Sequence, residues 1–152
     1  QLAERFRTTL FRQAMFAEFE AETYRLSWSG TPLTKDLLCS LYHELNSEYY
    51  GEETVIDEDI DHEWERIPHF YMQFYVYQYA TGFSAAMAIA RRILSGDEKT
   101  KEGYFRFLKG GCSKTPVELL KLVGLDMEKP DVVNEAMKVF EGLIKELEGS
   151  FS

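Results

Sequence analysis

Apolar residues near the start of the chain recur four apart, Leu2, Phe6 and Leu10 on one row and Phe11, Met15 and Phe19 on the next. Rows at that spacing stack along one face of an α-helix, so residues 2–26 are predicted to form a long helix with a broad apolar side. Ser27, Ser29, Gly30 and Pro32 interrupt it. Thr34 stands where a helix cap belongs, ahead of a second helix whose inner side is Leu37, Leu38, Leu41, Tyr42, Leu45 and Tyr49. Gly51 closes that helix, and the acidic run "GEETVIDEDIDHEWE" reads as a loop entering a short helix capped by Asp57.

A long uncharged helix is predicted over 69–95. Asp97 caps a shorter one that runs through Leu108 to a stop at Gly110–Gly111, and Pro116 opens another in its first turn, a position proline favours. The last helix is expected over 131–148, with Val133, Met137, Phe140, Ile144 and Leu147 inward. No strand alternation persists and no repeat is present, so the fold class is all-α.

The 152 residues are enough for one domain with a core, and 45% hydrophobic with 28% charged residues is the composition of a globular protein. A net charge of −9 with scattered Lys and Arg excludes a nucleic-acid partner, which needs clustered positive charge. Cys39 and Cys112 have no CxxC neighbour and fit a reducing, cytoplasmic setting. "QLAERFRTTL" is charged from its fourth residue, unlike a secretory leader, and it starts inside an amphipathic pattern without Met. The chain therefore reads as a piece of a longer one. Residues 67–90 contain no Asp, Glu, Lys or Arg and have the length of a membrane span. Pro68, His69, two glutamines and four tyrosine hydroxyls argue instead for a helix buried by its neighbours, with no membrane partner.

Two places approach the HExxH zinc motif, in which two histidines four apart share a helix face. His43–Glu44 is followed by Ser47 and His62–Glu63 by Arg66, so neither supplies the second ligand, and both read as surface residues. Asp57, Asp59 and Asp61 have the early spacing of a calcium loop, but His62 and Pro68 stand where Gly and Glu belong. No phosphate-binding glycine motif occurs, and Cys112 has no local histidine to activate it.

The segment "WERIPHFYMQFYVYQYATGFSAA", residues 64–86, remains. It holds one histidine, four tyrosines and three phenylalanines, then shrinks to small residues that let neighbouring helices approach closely. On a regular helix His69, Gln73 and Tyr77 would form one stripe bordered by Phe70 and Phe74. An imidazole, an amide and a phenol set among rings suit an extended peptide, and a phenol can donate to an oxyanion without carrying charge at neutral pH. The same aromatics could also be plain core.

"FRQAMFAEFE" at 11–20, "ELNSEYYG" at 44–51, the 64–86 segment and "LLKLVGLDM" at 119–127 together resemble oligoendopeptidase F, a zinc oligopeptidase group related to thimet oligopeptidase. The likeness covers nearly the whole chain. It implies a helical, zincin-like fold around a deep cleft for short peptides, with residues 1–152 as the C-terminal helical part lining one wall. It also implies that zinc is bound by residues outside this chain, in the missing N-terminal part, which becomes this chain's partner; no metal ligand lies within 1–152. In that family a histidine and tyrosines from this wall contact the substrate and stabilise the tetrahedral intermediate. Matched by position, His69, Tyr71 and Tyr77 take the catalytic roles, while Phe70, Gln73, Phe74 and Tyr75 bind substrate. The thimet branch has a glycine-rich loop where "HFYMQFY" is short and bulky, which leaves Tyr71 and Tyr77 both open as principal donor. The whole protein is expected to hydrolyse short peptides and this chain alone to be inactive. The alternatives are a stand-alone helical module that binds a peptide or helix, or a remnant without catalysis.

Overall fold

The computed structural model describes residues 1–150. Among them the regular structure is helical throughout, as the periodicity requires. Helix α1 (Leu2–Arg5) leads through a π-helical stretch (Phe6–Phe11) into α2 (Arg12–Trp28). Then come α3 (Lys35–Tyr50), a 3-10 segment (Glu58–Arg66), a 3-10 turn (Pro68–Tyr71), α4 (Tyr77–Leu94), α5 (Glu98–Gly110), α6 (Pro116–Lys121) and α7 (Asp131–Ser150). The caps fall where the side chains place them. Thr34 accepts from the Leu37 amide at 3.3 Å, Asp57 from Asp59 at 2.9 Å and Asp97 from Thr100 at 3.0 Å. Thr115 and Glu118 form a reciprocal capping box around Pro116. Gly51 and Gly111 end their helices with positive φ, a conformation glycine adopts without steric cost.

Three expectations are corrected. The first helix contains a π-helical stretch, where Gln13 donates to the Thr8 carbonyl oxygen. The helix expected over 69–95 begins only at Tyr77. Pro68 lacks the N–H a helix needs and drives Ile67 into an extended conformation (φ −88°, ψ 101°), and Phe74 then takes a positive φ of 52°. On α7 Val132 and Ala136 are buried and Met137, Phe140 and Ile144 half-buried as expected of the inner side, whereas Val133 and Leu147, expected inward, are exposed.

The chain forms two compact units. One comprises Gln1–Arg7 with the chain from Thr81 onward. Its core joins Ala85, Ala88 and Ile89 of α4 to Val123, Leu125 and Val132. Phe6 is fully buried, its ring edge-on to Phe83 at 4.9 Å and tilted against Phe140 at 5.1 Å. The small residues of α4 thus meet the 119–132 stretch at close range. The Arg92 guanidinium joins Glu135 in an ion pair and donates to the Gly124 carbonyl. At Gly103 the approach is closest: a Cβ there would lie 2.4 Å from the Leu122 carbonyl oxygen.

The other unit, Thr8–Ala80, carries every residue of the aromatic segment up to the first turn of α4. Met15, Phe16 and Phe19 of α2 pack with Tyr42 and Leu45 of α3 and with Ile67 and Val76. Glu63, expected at the surface, is only 6% exposed. Arg12 reaches it from α2 at 2.6 Å, Tyr42 donates to it from α3 at 2.8 Å, and Arg66 pairs with it from the next turn. Burial alone would raise the Glu63 carboxyl. The hydrogen bonds from Arg12 and Tyr42, with the charges of Arg12 and Arg66, outweigh that and hold it below its ordinary value.

Glu63→Ala strands Arg12 and Tyr42, and the unit loses stability at the low end of about 3–5 kcal/mol, read from its urea midpoint. Because the folded carboxyl is depressed, its contribution is complete above the ordinary value of 4.5 and is lost as pH falls through the folded value. Glu63→Gln therefore flattens the acid limb of a stability-against-pH curve; an unchanged limb contradicts the assignment. In the other unit Gly103→Ala costs about 1–3 kcal/mol by overpacking, whereas Gly142→Ala, with open space around the added Cβ, does not.

Candidate active site

From Trp64 to Tyr79 the backbone runs as a succession of tight turns. Ile67 donates to the Trp64 carbonyl at 3.3 Å, Met72 to His69 at 2.9 Å, Tyr75 to Met72 at 2.9 Å and Tyr79 to Val76 at 3.1 Å. Ile67 and Val76, both buried, pin the two ends of this stretch into the core. Between them the turns push side chains outward that a helix would have distributed around its axis.

His69, Gln73 and Tyr77 therefore do not form a stripe. They lie on a 3-10 turn, in the following loop and at the start of α4. The structure instead brings His69 to Tyr75, ring on ring at 5.5 Å and 8° from parallel. Tyr79, which the sequence reading did not single out, completes the group. Its ring stands edge-on to His69 at 6.3 Å and to Tyr75 at 5.6 Å, and its hydroxyl donates to the Tyr75 hydroxyl at 3.2 Å. That bond pushes the Tyr79 phenol above its ordinary value.

Tyr71 is 88% exposed and Tyr77 49% exposed; Gln73, Phe74 and Tyr75 also reach the surface. Phe70 turns the other way, its ring 5.5 Å from Phe16 and 5.3 Å from Phe19. Phe74 sits 5.0 Å from the Tyr24 ring, and its amide donates to Glu20 Oε1 at 2.7 Å. A positive φ costs a non-glycine residue roughly 1–2 kcal/mol, so a strong hold at this residue is needed. Glu20 was not singled out from the sequence, although the signal is there. It follows Phe16 by one helical turn and so lies inside the apolar stripe of α2.

The result is a surface of exposed aromatic rings with one imidazole and several phenols, seated on a packed core. Such a surface can stack on side chains and donate to carbonyl oxygens. A more apolar groove of about 640 Å³ lies in the other unit, between Ala86, Ile89 and Ile93 on one side and Phe107 and Leu120 on the other. It offers hardly a polar group to orient a peptide backbone.

The sequence profile of peptidase family M3 matches residues 1–139. The chain belongs to that family. It is 47% identical over 147 residues to oligopeptidase PepF of Bacillus subtilis, which covers 97% of this chain and 22% of that protein. It is 45% identical over 143 residues to the chromosomal oligoendopeptidase F of Lactococcus lactis subsp. cremoris, covering 94% of this chain and 24% of that protein. The crystal structure of oligoendopeptidase-F from Enterococcus faecium superposes with a TM-score of 0.94 at 44% identity, covering 97% of this chain and 28% of that one. The chain thus spans about a quarter of the length of these relatives, and its all-helical fold matches the helical part of that structure.

The residues present do not make a two-histidine zinc site. His43 pairs with Asp61 at 2.8 Å, and Ser47 takes the place of a second histidine. Among the described residues, Cys39, His62 and Glu65 bring ligand atoms within 4.8 Å of one another, a set with a single histidine. Also among these residues, no helix is long and apolar enough to cross a membrane.

Proposed function

We propose that this chain is the C-terminal helical part of a cytoplasmic, zinc-dependent oligopeptidase and supplies one wall of its peptide-binding cleft. The observation that supports this best is the 69–79 surface. In a chain of peptidase family M3, several exposed tyrosines surround a half-buried histidine while the turn beneath them is anchored by Ile67, Phe70 and Val76. Zinc, held by residues outside this chain, supplies Lewis-acid activation of the scissile carbonyl and of a water molecule.

The chain's own residues then bind and orient. Phe74 and Tyr75 offer ring faces to substrate side chains, Gln73 offers an amide to the substrate backbone, and Phe70 holds the turn from below. His69 donates an N–H toward the oxygen on which charge develops, and Tyr77 or Tyr71 donates a phenolic O–H to the same oxygen. Such donors act because they are already in place before the reaction begins. The stacking of His69 on Tyr75 fixes the plane of the imidazole. Without the zinc-binding part, this chain hydrolyses nothing.

In the full-length enzyme His69→Ala and Tyr77→Phe are expected to lower kcat by roughly 100- to 1,000-fold with little change in KM, measured on a quenched fluorescent peptide. Tyr71→Phe assayed beside them decides which phenol is the main donor. A raised KM with kcat unchanged in all three variants would instead make this a binding face without a part in the chemistry, the role of a helical peptide-binding module.

A further inference from the structure

Glu20 is 3% exposed, yet it stands on a helix face otherwise made of Phe16 and Phe19. Its Oε1 accepts the Phe74 amide at 2.7 Å, 54 residues away in sequence. Its Oε2 is buried with no hydrogen-bond partner among the described residues. Here one oxygen meets the backbone of the single non-glycine residue, among those described, that has a positive φ. One turn further along α2, Tyr24 packs its ring on the Phe74 ring at 5.0 Å. Helix α2 thus grips Phe74 by backbone and side chain together. The next residue is Tyr75, on which His69 stacks, and the Tyr75 hydroxyl in turn accepts from Tyr79.

We infer that Glu20 is a positioning residue for the peptide-facing surface: it holds the left-handed turn at Phe74, and through that turn it sets Tyr75 and the imidazole of His69. It touches neither substrate nor reacting atoms. One acceptor oxygen performs this role, so Gln can replace Glu whereas Ala cannot. This inference rests on the reading of 69–79 as the substrate wall.

The test uses the full-length peptidase and the variants Glu20→Ala, Glu20→Gln and His69→Ala. Crystal structures of the two Glu20 variants come first. Glu20→Ala is expected to release residues 72–76 and to separate the His69 and Tyr75 rings, while Glu20→Gln keeps both; an undisturbed turn in Glu20→Ala overturns the inference. Kinetics on a short peptide come second. Glu20→Ala is expected to lower kcat at least about tenfold, as displaced binding groups do, and Glu20→Gln to restore the wild-type value. A Gln variant as impaired as Ala assigns the role to the carboxyl's charge and overturns the inference, and so does an unaltered kcat in Glu20→Ala. His69→Ala separates the two levels. If it leaves kcat intact while the turn still collapses in Glu20→Ala, the substrate-wall reading fails and the structural hold stands.

Discussion

The unit that bears the aromatic surface depends on the burial of Glu63. A carboxyl group in a core is tolerable only when donors surround it, and three converge here, from α2, α3 and the 3-10 segment itself. With those donors in place the 3-10 segment has a single seating. Ile67 then enters the core directly after it, Pro68 prevents the helix from resuming, and His69 is delivered on a tight turn rather than along a helix. The candidate site residues are placed where they are because a buried charge fixes where the preceding segment ends.

A second carboxyl group, that of Glu20, meets the same stretch at its other end. Glu63 gathers side-chain donors, whereas Glu20 takes a backbone amide. Between these points the chain makes consecutive short turns, which expose more side chains per residue than a helix packed on one face. Rings at Tyr71, Phe74, Tyr75 and Tyr77 can therefore face outward while Phe70 and Val76 face in. A surface built in this way is anchored at its base and open at its face, which suits the peptide-binding role proposed for it.

Much of this was legible in the sequence. Apart from the π-helical stretch at Phe6–Phe11, the helices expected over 2–26 and 131–148 and after Thr34, the caps at Thr34, Asp57 and Asp97 and the stops at Gly51 and Gly111 follow from local chemistry that acts within a few residues. The break at Pro68 is hidden because uncharged residues on both sides of it make one continuous apolar run. Proline's effect on Ile67 is local and is the one sign of the break that the sequence carries. Glu63 and Glu20 were not legible, since their partners lie up to 54 residues away. An acidic residue inside an apolar helical stripe was the one available sign, at Glu20. Candidate residues His69 and Tyr75 come together as ring partners through a turn that no periodicity encodes.

The proposed role of residues 69–79, facing the peptide in the full-length protein, is open to direct observation. The most direct measurement is a crystal structure of the full-length protein bound to a phosphinic peptide, whose tetrahedral centre mimics the reaction intermediate. A phosphinate oxygen is expected within hydrogen-bonding distance of His69 and of Tyr71 or Tyr77, with the peptide lying across Phe74 and Tyr75. An inhibitor seated elsewhere, with this surface covered by another part of the protein, would contradict it.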